Sequence, residues 1–403
     1  MNVRRTLLLG IAALGVAALL QSEAMAFAAI VVLLLAGLAW YTGRHILDRV
    51  EYSRSLSRRV ISWGGEVELS TAVANRKWLP LMWLRVRDGW PNAVTPLGFA
   101  LDATHTPSTG TLAQALSVRW YQRVRRHYPG LCLERGVHSF GPARLQAGDP
   151  FGLTTIIQEL RTRDEIVVLP KILSLPPEAL AHGRPLAGAP SRTSLMRDPA
   201  SLIGIRPYRA GDPWKAVNWR ATARTSELQI NEFDHCAEAE VLILLNLRTF
   251  ESTWQRTDPE LMELLCVVAA SAASALAEED LAVGLRSNGP IVNQRDPLSI
   301  DPAPGSLPEI LDGLARIILT TATPFARTLQ AELQCPTRPA EYLVVTPSLD
   351  GGITPLLLAL KRERPICLVL IGDPGAADGV DELVDWRLPR DFDWRDKDAL
   401  ALA

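Results

Sequence analysis

"VLILLNL", Val241–Leu247, decides how the second half of this chain is read. Six of its seven residues are large aliphatics. A strand with one face in water alternates polar and apolar positions, so a continuous run of this length predicts a strand buried on both faces. Toward the carboxyl end the texture repeats. "PELMELLCVVAASAASALAEE" (259–279) reads as a helix with Pro259 in its first turn and glutamates at both ends. "LAVGLRSN" (281–288) reads as a second strand. "SLPEILDGLARIIL" (306–319) reads as a helix, with Ser306 as N-cap, Glu309 completing a capping box, and Ile310, Leu314 and Ile317 on one face. "YLVVTP" (342–347) is a third strand, "ITPLLLALKRER" (353–364) a helix and "PICLVLIGDP" (365–374) a fourth strand. Strands alternating with helices predict a mostly parallel sheet covered on both faces, with its binding edge at the carboxyl ends of the strands.

Immediately before this region lies "GIRPYRAGDPWKAVNWRATARTSELQINEFD" (204–234). Between Arg206 and Arg224 it places five Arg or Lys, two Trp and Tyr208 around a single carboxylate, Asp212. Gly211 belongs to the turn, Asp212 and Pro213 stand in N-cap and first-turn order, and Trp214, Val217 and Ala221 continue at helical spacing. A helix over 213–225 is expected, with Arg206 or Arg224 paired to Asp212 and Trp219 stacked on a guanidinium. Three roles fit this composition. One is a polar latch fixing the segment in place. Another is a protein-docking surface rich in Trp, Tyr and Arg. The third, a nucleic-acid patch, has little else in its favour, because the whole chain carries a net charge of −2.

The stretch 171–200 is rich in Pro, Gly, Ala and Ser without periodicity, and predicts a linker. Upstream, 43–170 reads as strands and turns. "EVELSTAVAN" (66–75) alternates Val67, Leu69 and Thr71 against Glu66, Glu68 and Ser70. "LMWLRVRDGW" (81–90) and "ALSVRWYQRVRRHY" (115–128) continue the habit, and together they predict an antiparallel β-sandwich.

The first 42 residues are different. Thr6–Leu20 and Ala24–Tyr41 are nearly free of charge, separated by Gln21, Ser22 and Glu23. The second run alone extends about 27 Å as a helix, close to the hydrocarbon core of a bilayer. A transmembrane helical hairpin over 1–42 is expected; the alternative is a cleaved signal peptide ending near Ala24-Met25-Ala26. Arg4 and Arg5 precede the first run, Arg44, Arg49, Arg54, Arg58 and Arg59 come after the second, and the turn carries no positive charge. By the positive-inside rule both termini face the cytoplasm of an inner-membrane protein with two spans. The five cysteines are scattered and odd in number, which fits a reducing compartment.

No phosphate-cradling loop, zinc-protease helix or nucleophile elbow occurs, and the six histidines lie far apart. No catalytic residue and no cofactor is assigned; acids such as Asp350 and Asp373 are too scattered to make a constellation.

Arg206-x-Tyr208-x-x-Gly211-Asp212, then Trp219 and Ala223-Arg224, resemble the motif of the bacterial family called domain of unknown function 58. Upstream, "RGVHSFGPARLQAGDPFGL" (135–153) is similar to a second family signature through Arg135, Gly136, Asp149, Pro150, Phe151 and Gly152. In plain terms Asp149 can make an Asx-turn, Pro150 fixes φ and Phe151 can anchor a strand. The resemblance implies that 201–403 is a von Willebrand factor A-like α/β domain. It also implies a membrane-anchored partner of a MoxR-type AAA+ ATPase. Domains of that kind often hold Mg²⁺ through Asp-x-Ser-x-Ser after the first strand. Here Asn246, Arg248 and Phe250 occupy those positions, so the metal site is expected to be degenerate and lost. The expected function is a non-enzymatic, membrane-anchored scaffold or adaptor that binds a protein partner, the ATPase or an assembly client. The alternative is a Mg²⁺-dependent ligand-binding module rebuilt near Asn246 and Asp373.

Overall fold

The computed structural model describes the chain except residues 1–9, 13–14, 17–18, 22, 105–107, 150–153, 176–201, 209–216, 226, 234–239, 249–257, 295, 319, 322, 336–338, 373–382 and 401–403. It divides into two compact units, Met1–Leu169 and Pro170–Ala403.

The first unit opens with helix α1 (Glu23–His45), preceded by helical residues at 10–12, 15–16 and 19. Gly10 packs on α1, since a Cβ there would meet Leu33 Cδ2 at 2.7 Å. Eleven strands come next: β1 (Val50–Leu56), β2 (Val60–Ile61), β3 (Glu66–Asn75), β4 (Leu81–Pro91), β5 (Val94–Pro96), β6 (Thr109–Val118), β7 (Arg123–Cys132), β8 (Gly136–Phe140), β9 (Ala143–Gly148), β10 (Thr155–Leu160) and β11 (Asp164–Val168). They form sheets ordered β1-β3-β7-β5, β10-β9-β4-β6 and β2-β11-β8. Every pairing among them is antiparallel except β2 with β11. Alternation does what it should in β3, where Val67, Leu69, Thr71 and Val73 point inward and are buried. Val73 from the first sheet meets Leu84, Val86, Leu116 and Leu145 from the second in one core. Trp90, Phe140, Ile166 and Val168 lie at the heart of another.

The second unit contains a two-stranded antiparallel sheet, β12 (Leu202–Pro207) with β13 (Gln229–Phe233), joined through α2 (Trp219–Thr225). Its main sheet uses β14 (Glu240–Leu245), β15 (Ala282–Pro290), β16 (Pro297–Ala303), β17 (Glu341–Thr346), β18 (Ile366–Ile371) and β19 (Trp386–Leu388), in the order β16-β15-β14-β17-β18-β19. Helices α3 (Pro259–Glu278), α4 (Leu307–Arg316), α5 (Phe325–Gln334) and α6 (Thr354–Glu363) complete it. Val241–Leu247 is buried throughout, as its sequence requires. Leu242 and Leu244 face Phe325, Leu329, Leu357 and Leu360 of α5 and α6. Residues 171–174, within the expected linker, are ordered: Leu173 N donates to Ser271 Oγ at 2.9 Å, and Lys171 Nζ reaches the carbonyl oxygens of Trp394, Arg395 and Lys397.

These pairings correct the expected fold class. The described strands lie mostly in antiparallel and mixed sheets, and the chain is not a mostly parallel α/β protein of von Willebrand factor A type. Even the main sheet is mixed, because β16 turns straight back along β15. An apolar run reports burial but not direction, and β16 ("PLSIDPA") carries too little apolar pattern to announce itself. Of the expected membrane hairpin, the first run lies partly outside the described residues; among the described residues near the N-terminus, α1 has the length and apolarity of a span. The other helix that passes the same test, α3, is mostly buried among the strands and is the core helix of its unit.

The described helix α2 begins at Trp219; of the expected 213–225, residues 213–216 lie outside the described residues, and Val217 and Asn218 are not helical. Asn218 supplies the cap, its Oδ1 accepting from Arg220 N (3.1 Å) and Ala221 N (3.0 Å), while Val217 is still extended and bridged to Ile230. Ser306 does not form a capping box; its hydroxyl donates to the Val283 carbonyl across the fold instead.

Candidate functional site

The carboxyl edge of the main sheet is polar but closed on itself. Asn246 directly follows β14, Asn288 lies in β15 and Thr346 ends β17; all three are buried. Asn246 Oδ1 accepts from Arg248 N and from Asn288 Nδ2, both at 3.1 Å, and Asn246 Nδ2 donates to Thr346 Oγ1 at 3.0 Å. Asn288 Oδ1 accepts from Leu247 N (2.8 Å), and Thr346 Oγ1 donates to Ser348 O (2.8 Å). Parallel neighbours bring these three side chains level, and buried amides without partners would be costly, so they satisfy one another.

Arg248 leaves this edge toward Asp350, Nη1 to Oδ2 at 3.6 Å with both side chains about one-third exposed. Asp350 is itself engaged, Oδ1 accepting from Gly352 N and Ile353 N at 2.9 Å ahead of α6. A neutral amide with both polar atoms committed, beside a guanidinium, does not fit a hard divalent cation, which needs several free oxygens. Among the described residues no group of three His, Cys, Asp or Glu side chains is arranged to hold a metal. Phe250 and Asp373 lie outside the described residues.

The motif before the sheet folds into a small β-α-β unit. Arg206 lies in β12 opposite Ile230 of β13, and Tyr208, half-buried, donates its backbone N–H to Leu228 O at 2.8 Å. Thr222 Oγ1 donates to Asn218 O and accepts from Gln229 N, fastening α2 to β13 at 2.8 and 3.0 Å. The inner side is sealed by Val217 and Ile230. Trp219 and Arg224 face outward, and Trp219 is 66 % exposed. Thus Tyr208, Trp219 and Arg224 share one substructure. Gly211 and Asp212, and so the expected carboxylate pair, lie outside the described residues.

In the first unit, Arg135 and Asp149 are buried and Gly136 adopts φ +140°. Asp149 Oδ1 accepts from Thr154 N, and Asp149 N donates to Thr154 O at 3.2 Å. These two bonds tie Asp149 to Thr154 across the loop, while the residue that would close an Asx-turn on Asp149, Phe151, lies outside the described residues. Pro150, Phe151 and Gly152 within it lie outside the described residues.

Sequence reasoning missed a charged core nearby. Arg54 Nη1 donates to Asp88 Oδ1 at 2.5 Å, Arg54 Nε to Asp164 Oδ2 at 3.0 Å, and Tyr52 Oη to Asp88 Oδ2 at 2.5 Å. The signal was present, because Asp88 stands in the inward phase of β4, between Val86 and Trp90. Lys77 was also missed. Its ammonium donates to His45 O (2.7 Å), Asp48 O (2.8 Å) and Ile46 O, capping the carboxyl end of α1.

Comparison with known proteins bears on this arrangement. The chain is 22 % identical over 332 residues to the uncharacterized protein YeaD of Bacillus subtilis strain 168, covering 79 % of this chain and 78 % of that one. Among solved structures, the CARDB domain of the PF1109 protein from Pyrococcus furiosus is 10 % identical, covering 30 % of this chain and 94 % of its own, at a TM-score of 0.20. A cohesin module from a Clostridium perfringens family 33 glycoside hydrolase is 11 % identical over 30 % of this chain and 96 % of its own, also at 0.20. Likenesses this slight carry no weight for fold or function. Residues 204–362, which run from the β12–β13 motif into α6, match the family described as Protein of unknown function DUF58.

Proposed function

We propose that this protein is a non-enzymatic scaffold, tethered to the inner membrane by α1 and presenting its second unit to the cytoplasm to bind a protein partner. The observation that carries the reading is Trp219: a large aromatic, 66 % exposed, on a short helix fixed by the Asn218 cap and the Thr222 clamp. A rigidly held, exposed Trp flanked by exposed Arg220 and Arg224 is the composition of an interface hot spot. The carboxyl edge of the main sheet supports the same reading, since its amides are consumed by one another and are not aimed at a ligand. Positive charge just past α1, on Arg44 and Arg49, supports a cytoplasmic orientation for the chain beyond that helix.

The resemblance carried by the Arg206–Arg224 motif makes a MoxR-type AAA+ ATPase the first partner to test. Full-length protein in detergent, wild type and Trp219→Ala, is mixed with the purified ATPase and binding is measured by light scattering or interferometry. Loss of binding by the variant at an unchanged unfolding temperature supports docking through α2. Equal binding by both removes α2 from the interface, and no binding by either removes this ATPase.

A further inference from the structure

The end of the sandwich beside α1 carries exposed aromatics that folding does not explain. Trp78 and Trp120 are each 63 % exposed, and Tyr121 is 70 % exposed. They sit on two neighbouring loops, 76–80 and 119–122, tied together by Tyr121 N to Lys77 O (3.2 Å), Asn75 Nδ2 to Arg119 O (3.0 Å) and Asn75 N to Gln122 O (2.9 Å). Tyr121 holds φ +52°, a left-handed conformation that a turn ordinarily gives to Gly or Asn. A bulky aromatic kept there, facing solvent, stores strain without gaining any packing, and such outliers point to function.

The position of these loops is fixed relative to α1. Lys77, next in the chain to Trp78, is bound to the last carbonyls of α1, and Arg76 N donates to Arg49 O at 3.0 Å. On α1 itself the final turns carry exposed Trp40, Tyr41 and Arg44. Around the loops stand exposed Arg76, Arg119 and Arg123. Trp and Tyr with interspersed Arg, at the level where an apolar helix ends, is the arrangement found at membrane–water interfaces. There the amphipathic rings sit among headgroups and guanidiniums meet phosphates.

We propose that loops 76–80 and 119–122 form a lipid-facing foot: Trp78, Trp120 and Tyr121 insert into the headgroup layer beside α1 and seat the sandwich directly on the bilayer. This rests on the reading of α1 as a membrane span. The continuity of the loops with the end of α1, through Lys77, selects lipid rather than another protein as the occupant.

The test uses full-length protein reconstituted into phosphatidylethanolamine–phosphatidylglycerol vesicles containing lipid brominated near the headgroup, which quenches nearby Trp emission. Trp78→Phe and Trp120→Phe together keep rings of similar size and remove the two emitters. The quenched share of emission should fall by about two-thirds, leaving Trp40 as the remaining interfacial Trp on that side. Carbonate extraction is run in parallel to read the span itself. Carbonate-resistant protein whose quenching is unchanged in the double variant overturns the foot while leaving the span in place. Release by carbonate overturns the span, and the foot with it. A thermal unfolding curve of the variant matching wild type confirms that only emitters were removed.

Discussion

Arg54 Nη1 lies 2.5 Å from Asp88 Oδ1, with the two side chains 2 % and 0 % exposed. This ion pair sits between the sheets of the first unit, and its remaining valences are filled. Arg54 also holds Asp164 and the Thr162 carbonyl, at 3.0 and 2.6 Å. Burial, and then the Asp88 carboxylate, push the Tyr52 phenol well above its usual range, so it stays protonated and donates to Asp88. A buried pair of this kind does little for net stability compared with an apolar replacement, but half of one is costly. Asp88→Ala should therefore destabilise the first unit by about 3–5 kcal/mol. The double variant Arg54→Met, Asp88→Leu should recover most of that loss. Urea unfolding in detergent reads both, and a double variant as unstable as the single would show that shape, not charge, is what the site requires.

Asp258 gives the second unit an acid-sensitive anchor, joining the start of α3 to Arg390. Its Oδ1 accepts from Glu260 N (3.1 Å) and Leu261 N (3.2 Å), capping α3, and its Oδ2 accepts from Arg390 Nη2 at 2.5 Å. Burial pushes this carboxyl up, but the Arg390 guanidinium and the backbone donors outweigh it and hold it below the ordinary carboxylate range. A depressed folded value means that the stabilisation is complete above the unfolded value of about 3.9 and fades as pH falls through the folded one. Asp258→Ala should cost about 1–2 kcal/mol at neutral pH. The gap from wild type should close below pH 4, which paired denaturation curves at pH 7 and pH 3 will measure.

The Asn246 network predicts what restoring a carboxylate would do. In Asn246→Asp the new oxygen faces Thr346 Oγ1, whose proton already goes to Ser348 O. Among the described residues, a charge at this position, 2 % exposed, would find Asn288 Nδ2 and Arg248 N as its hydrogen-bond donors, too few to offset its desolvation, so a loss of about 2–3 kcal/mol is expected at neutral pH. Protonating the acid should restore part of it, so stability of the variant relative to wild type should rise as pH falls. Adding Mg²⁺ should leave the melting temperature of the variant unchanged. A rise of several degrees with Mg²⁺ would mean that the edge can open to accept an ion.

How much of the fold was legible depends on what each pattern encodes. Val67, Leu69 and Thr71 alternate because one face of β3 is buried, so both strand and face could be read. Val241–Leu247 could be read as a strand, yet nothing in six aliphatic side chains states which way the neighbouring strand runs. Trp386–Leu388 is three residues long, too short for any period. A local cap failed where a tertiary contact outbid it: Ser306 turns its hydroxyl to Val283. At the sheet edge, Asn246 and Thr346 were visible as polar residues ending apolar runs. Asn288 was not, because it lies inside a strand and its role exists only once β15 stands beside β14.

Two cysteines report on the packing of both units. Burial pushes the Cys132 thiol up to about 11, and burial with Asp385 and Glu341 pushes Cys367 up to about 12. Thiolate is the reactive form, so both should resist alkylation at pH 8 in the folded protein. Mass spectrometry after iodoacetamide treatment should find them unmodified until denaturant is added. Fast labelling of Cys132 in native protein would show that the core around Trp90 opens on its own.

Lys77 joins α1 to the sandwich, and its titration gives that joint a pH signature. Desolvation lowers the amine to about 8, against an ordinary value of 10.5, with Asp48 pulling the other way. Below pH 8 the lysine is charged in both folded and unfolded chains, and the cost of burying the charge is felt in full. Between 8 and 10.5 the unfolded chain keeps a proton that the folded one has released, so unfolding becomes harder as pH rises through that window. Lys77→Met lacks the group and leaves the carbonyls of His45, Ile46 and Asp48 without their donor, at a cost of about 1–3 kcal/mol. The stability of wild type relative to Lys77→Met should therefore grow from pH 8 to pH 10, read by urea unfolding in the same detergent. A difference that shrinks over that range would show that the three carbonyls favour the ammonium strongly enough to override its desolvation.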